Sequence, residues 1–66
     1  MVKLHRFGDT DKGREFYVNP DLIETIDANP DTILHLITGH PVYVEETPEQ
    51  VVELVREWRR SVFLGI

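Results

Sequence analysis

The chain has 66 residues, with 7 Lys and Arg against 12 Asp and Glu for a formal charge of −5, and it contains no cysteine. That length allows one domain, residues 1 to 66, whose small core supplies roughly 3–5 kcal/mol of net stability. Without thiols, disulfides, cysteine zinc sites and sulfur redox chemistry are excluded, and self-association is the common support left. The acid excess opposes generic binding to nucleic acid or anionic lipid, and no apolar run approaches the ~20 residues of a spanning helix, so neither nucleic acid nor membrane insertion is expected.

The opening MVKLHRFGDT lacks the apolar centre of a secretory signal, which makes the cytoplasm the expected compartment. Residues 2 to 7 alternate Val2, Leu4 and Arg6 with Lys3, His5 and Phe7 and predict a first strand. GDTDKG at 8 to 13 has the composition of an exposed hairpin tip, and residues 14 to 18, with Phe16 and Val18 on one face, return alongside the first strand. Asn19, Pro20 and Asp21 interrupt the pairing, because proline lacks an N–H and the Asn and Asp side chains bond nearby amides. A third strand follows at 22 to 28. A second Asn-Pro-Asp, at 29 to 31, reads as the same turn chemistry used again before a fourth strand at 33 to 38. Gly39, His40 and Pro41 make the last turn, and 42 to 46 form the fifth strand.

In the fourth strand Ile33 and Ile37 point one way and Leu34 and Leu36 the other, so both faces need cover. One helix covers one face; a curled sheet or a neighbouring subunit must cover the other, and for so short a chain the neighbour is the economical choice. The helix is specified at its start by Thr47 as cap, Pro48 at the first position and Gln50 three residues after the cap. Val51, Leu54, Val55, Trp58 and Val62 form its apolar stripe, Glu53 and Glu57 stand three residues before Arg56 and Arg60, and Gly65 ends it. Phe63 and Leu64 lie partly off the stripe and either wrap round the domain edge or dock on another chain.

A search for chemistry yields little. His5 and His35 fall in mid-strand and His40 in a turn, without metal-ligand spacing, and no metal or cofactor is expected. His35, on the face of Ile33 and Ile37, fits a hydrogen-bonded core or subunit contact better than catalysis. Ser61 is the single serine and has no glycine elbow, and no phosphate-cradling glycine string occurs. Glu45 and Glu46, adjacent on a strand, point to opposite faces, so they read as a solvated acidic edge rather than a paired acid site. Arg56, Arg59 and Arg60 stand in the last turns of the helix, where its dipole favours cations. The chain is therefore not expected to be an enzyme.

The ordered string EFYVNPDLIETIDANPDTILHLITGHPVYVEETPEQVVELVREWRR, after a VKLHRF strand, resembles the small flagellar proteins of the FlbD or SwrD (YlzI/FlbEa/FlbD) family over nearly the whole chain. Its most distinctive piece is NPDLIETIDANPDTILHLITG, residues 19 to 39. The charged tip at 8 to 13 departs from the short Asn-Gly-like turn usual in that family, which puts a role for this loop in doubt and not the fold. The resemblance implies a non-enzymatic accessory of the bacterial flagellum, tied to motor output and swarming; its molecular partner is not given by these residues, and a flagellar motor protein is a candidate. Of the positions that match the family string, the turn and core residues serve folding whatever the function, whereas Glu24, a charge in mid-strand, stands either as a partner contact or as an ordinary exposed strand residue.

The expected architecture is α+β: about five antiparallel strands in a meander, twisted or partly closed, with a helix from 48 to 63 on one face, assembled as a homo-oligomer. Glu24, Tyr43, Glu45, Phe63 and Leu64 are the candidates for contact with a partner, and Ile33, His35, Ile37 and Trp58 for the contact between copies. Two rivals are a generic interaction module and a small oligomeric RNA-binding regulator presenting Lys3, Arg6 and Arg14 along one edge, the latter opposed by the net charge.

Overall fold

The computed structural model describes residues 1–8 and 13–64. The central residues of the charged tip, 9–12, and Gly65, expected to end the helix, lie outside the described residues. Alternation of apolar and polar side chains makes the first hairpin. β1 (Val2–His5) and β2 (Glu15–Val18) pair antiparallel, Val2 opposite Val18 and Leu4 opposite Phe16, so the apolar members share one face. Pairing continues past β1, where the Arg6 amide donates to the Arg14 carbonyl at 2.8 Å and the Gly13 amide to the Arg6 carbonyl at 2.9 Å. Gly13, at φ 75°, takes the left-handed backbone that this return needs.

At the first Asn-Pro-Asp the Asn19 side chain accepts from the Asp21 amide at 3.0 Å, and Pro20–Leu22 winds into one 3-10 turn. β3 (Ile23–Asp27), β4 (Thr32–Leu36) and β5 (Pro41–Val44) then form a second antiparallel sheet in the order β3-β4-β5. The second Asn-Pro-Asp forms a bend instead of a 3-10 turn, so the two motifs do not fold alike; its Asn29–Pro30 peptide bond is cis.

The structure corrects the single five-stranded meander, partly closed, to two antiparallel sheets of two and three strands. The 3-10 turn carries the chain away from β2, and β2 and β3 do not pair. Contact between the sheets comes from the far end of β1: Arg6 bridges Val44, the Phe7 amide donates to the Tyr43 carbonyl at 3.1 Å, and the Glu45 amide to the His5 carbonyl at 2.9 Å.

A parity argument explains β3. Ile23 and Ile26 are three residues apart, which in a regular strand puts them on opposite faces. Their partners Leu36 and Leu34 are two apart, and the register shifts between Ile23 and Thr25. The extra residue is Glu24, and the bulge it makes lets both isoleucines pack against the core.

α1 (Pro48–Leu64) begins where the cap residues predict. The Thr47 amide donates to Gln50 Oε1 at 2.9 Å, and the Gln50 amide donates to Thr47 Oγ1 at 3.1 Å. Its first turns lie on the sheets: Val51 is fully buried with Leu4, Leu34 and Val44, and Leu54, Val55 and Trp58 pack around them. The expected stripe stops there, since Val62 is 60% exposed.

Candidate functional site

The residues singled out from the sequence fall on two separate surfaces. The first is the outer face of the three-stranded sheet. Register places Ile33 opposite Tyr43 on one side and Asp27 on the other, and His35 opposite Pro41 and Thr25. Phe7, just past β1 and the Arg6–Val44 bridge, stands opposite Tyr43 in the backbone pairing, and the partner of Tyr43 on β4 is Ile33. Phe7 and Tyr43 are 47% and 45% exposed. His35 Nε2 lies 2.8 Å from Asp27 Oδ2 in a cross-strand pair at the surface. Ile37 is beyond the end of β4, in a turn, with its amide donating to the Leu22 carbonyl at 2.8 Å, so it borders this face rather than continuing the strand. Glu45 is exposed just after β5.

The second surface runs along α1. Glu24 lines a shallow groove of about 330 Å³ between the Pro20–Leu22 turn, β3 and the helix, whose side is formed by Val52, Val55 and Arg59. Another groove, of about 520 Å³, continues past Arg59 between Asp21 and Trp58, Val62 and Phe63. Arg59 separates the two, with its guanidinium 3.3 Å from Asp21 and 6.0 Å from the Trp58 ring centroid. Trp58 is half-buried against the core and reaches this surface only at its edge. Beyond it Phe63 is 89% exposed and Leu64 57%, so the last turn projects from the domain instead of wrapping round it. Val52 was missed in the sequence, although an apolar residue one position off the main stripe was a signal that a second helix face is used.

The junction between the sheets holds the other residue that sequence analysis misjudged. Glu46 is turned inward with its side chain only 14% exposed, and is not part of a solvated edge. Its Oε1 accepts from the His5 amide at 3.0 Å and its Oε2 lies 2.6 Å from His5 Nδ1. The carboxylate thereby takes the place of a strand carbonyl and ties β1 to the start of α1. The hydrogen bond to Glu46, opposed by partial desolvation and reinforced by the charges of Glu46, Glu15 and Glu45, raises the His5 pKa. Burial by itself would raise the Glu46 pKa, but hydrogen bonds from the His5 ring and the His5 and Glu46 amides outweigh it, and the net shift is downward. Forty-one residues separate this pair, so no local pattern announces it.

Of the basic edge, Lys3 lies 3.5 Å from Glu15, and Arg6 stacks 4.6 Å from the Phe16 ring centroid. Among the described residues no group of three or more His, Asp and Glu is placed to hold a metal ion, and no helix is long and apolar enough to cross a membrane. What the molecule offers is an exposed aromatic pair on a sheet and an apolar helix end beside two grooves, which suit contact with another polypeptide. Comparison with curated proteins and with solved structures returned no match. A family model does match, over residues 1–63 of the 66, and the chain belongs to FlbD, the flagellar and swarming motility proteins.

Proposed function

We propose that this chain is a non-enzymatic accessory that supports flagellar motor output and swarming, as resemblance to SwrD-type members implies, by docking in the cytoplasm on a flagellar motor protein or on a second copy of itself. The observation that carries the reading is Phe63, an aromatic side chain left 89% exposed at the end of a helix in a chain of the flagellar family. Fully burying such a side chain is worth about 1.5–3 kcal/mol, a large share of what so small a domain has in hand. An exposed apolar cluster of this kind is the expected mark of a binding surface. Tyr43 and Glu45 on the sheet, and Glu24 and Leu64 beside the helix, are the further contacts assigned to docking.

Deletion and complementation in a swarming host test the proposal. Loss of the gene is expected to slow swarm expansion and the wild-type gene to restore it. Phe63→Asp and Tyr43→Asp, both at exposed positions, are expected to accumulate as folded protein and to restore it poorly. Normal swarming without the gene, or full restoration by both variants at equal abundance, contradicts the proposal.

A further inference from the structure

The groove side of α1 has features that single out its occupant. Along the helix, Val52, Val55, Arg59 and Val62 recur at spacings of three, four and three, the interval of a helix–helix seam, with Phe63 beside Val62. Val52, Val62 and Phe63 are exposed, and Val55 and Arg59 line the groove between them. Charge is divided along the same element. Glu49 and Glu53 are the charged residues of the first half, and from Arg56 onward there are three bases, Arg56, Arg59 and Arg60, to one acid, Glu57; Arg56 also reaches back to Glu53 at 3.1 Å in an exposed and therefore weak pair. An antiparallel partner helix with the same sequence sets the acidic half against the basic half, and a parallel one sets like charge against like. The Arg59–Asp21 pair is solvent-exposed on both sides and therefore weak, so it does not hold the surface closed.

Strand addition to the free edge of β3 is one competing geometry, and the Glu24 bulge with Asp27 at the other end of that strand blunts this edge against it.

We propose that a second copy of this chain packs antiparallel on α1, covering the stripe Val52, Val55, Arg59, Val62 and Phe63 so that the acidic first half of each helix meets the basic second half of the other. The seam is two-fold symmetric about Glu57, which sets Val52 of one copy against Val62 of the next. This deepens the contact-based role by naming one partner, yet its test is independent of motility: a monomer that restores swarming overturns the pairing alone, and a dimer that fails to restore it overturns the motility role alone.

Sedimentation of the full chain from about 1 µM to about 1 mM, the range in which modest interfaces dissociate, is expected to show a species of twice 7.7 kDa giving way to one of 7.7 kDa on dilution. Phe63→Asp should raise the dissociation constant at least tenfold while the circular dichroism spectrum is unchanged. Because the chain lacks cysteine, single replacements report geometry without background. An oxidised mixture of Val52→Cys and Val62→Cys should form the mixed disulfide, whereas Val52→Cys alone should not link, its two copies lying about 15 Å apart along the seam. A monomer throughout the range, a dimer indifferent to Phe63→Asp, or efficient linking of Val52→Cys to itself overturns the proposal.

Discussion

His5 is surrounded by carboxylates: Glu46 holds its Nδ1, Glu15 Oε2 lies 3.6 Å from its Nε2, and Glu45 adds charge nearby. A pKa raised in the folded state means that protonation favours folding, so this contribution is complete below the usual 6.5 and fades as pH rises through the folded value. Glu46 works in the opposite sense: its pKa is lowered, so its contribution is present above the usual 4.5 and is lost as pH falls through the folded value. The pair therefore stabilises the molecule most between those two limits. Urea midpoints are expected to be higher near pH 5.5 than near pH 8.5, and His5→Gln should narrow the gap; equal midpoints in the parent chain would contradict the assignment. At the same scale, Glu24 illustrates a residue whose oddity the sequence displayed and whose cause it hid. A charge in mid-strand was visible, but the bulge depends on the register against Leu34 and Leu36, a pairing with another strand. It stands both on the bulge and on the wall of the groove.

Among the elements, those governed by neighbouring residues were legible. The capping box at Thr47 and Gln50 formed as its spacing predicted, and the helix starts at Pro48 as expected. Thr47→Ala should cost about 1 kcal/mol, read as a lower urea midpoint with an unchanged slope; no change would mean that packing of Val51 alone fixes the helix start. The five strands also fall close to their predicted spans, because period-two alternation and turn residues are local signals. What alternation cannot express is which strand lies beside which. Both Asn-Pro-Asp motifs read alike, yet one opens a 3-10 turn that separates β2 from β3 and the other forms a bend. The link from β1 to β5 joins residues almost forty apart, and the inward turn of Glu46 follows from that link. The candidate site was partly legible for the same reason. Phe63 and Leu64 were visible as apolar residues off the stripe, whereas the groove that Phe63 lines, and the one beside it, exist only once α1 lies against β3 and the Pro20–Leu22 turn.

For the molecule as a whole, stability and contact draw on the same small stock of apolar side chains. Among the described residues six buried aliphatic side chains make the core, with Leu34 fully buried in the central strand of the larger sheet. Leu34→Ala removes about 2–5 kcal/mol, comparable with the entire net stability of so small a domain, so the variant is expected to be largely unfolded at 25 °C by near-ultraviolet dichroism; a cooperative native transition in that variant would show a larger reserve. Against this background, Val62, Phe63 and Leu64 remain exposed at the end of α1, and the proposed docking role gives them a partner to cover them. The family match and the exposed end of α1 are the two observations on which the proposed docking role rests. The most direct measurement is the swarm expansion rate of a deletion strain carrying the chain ended after Arg60, with its abundance and dichroism checked alongside. The account predicts a folded, abundant protein that leaves swarming as slow as in the deletion strain; expansion at the wild-type rate would contradict it.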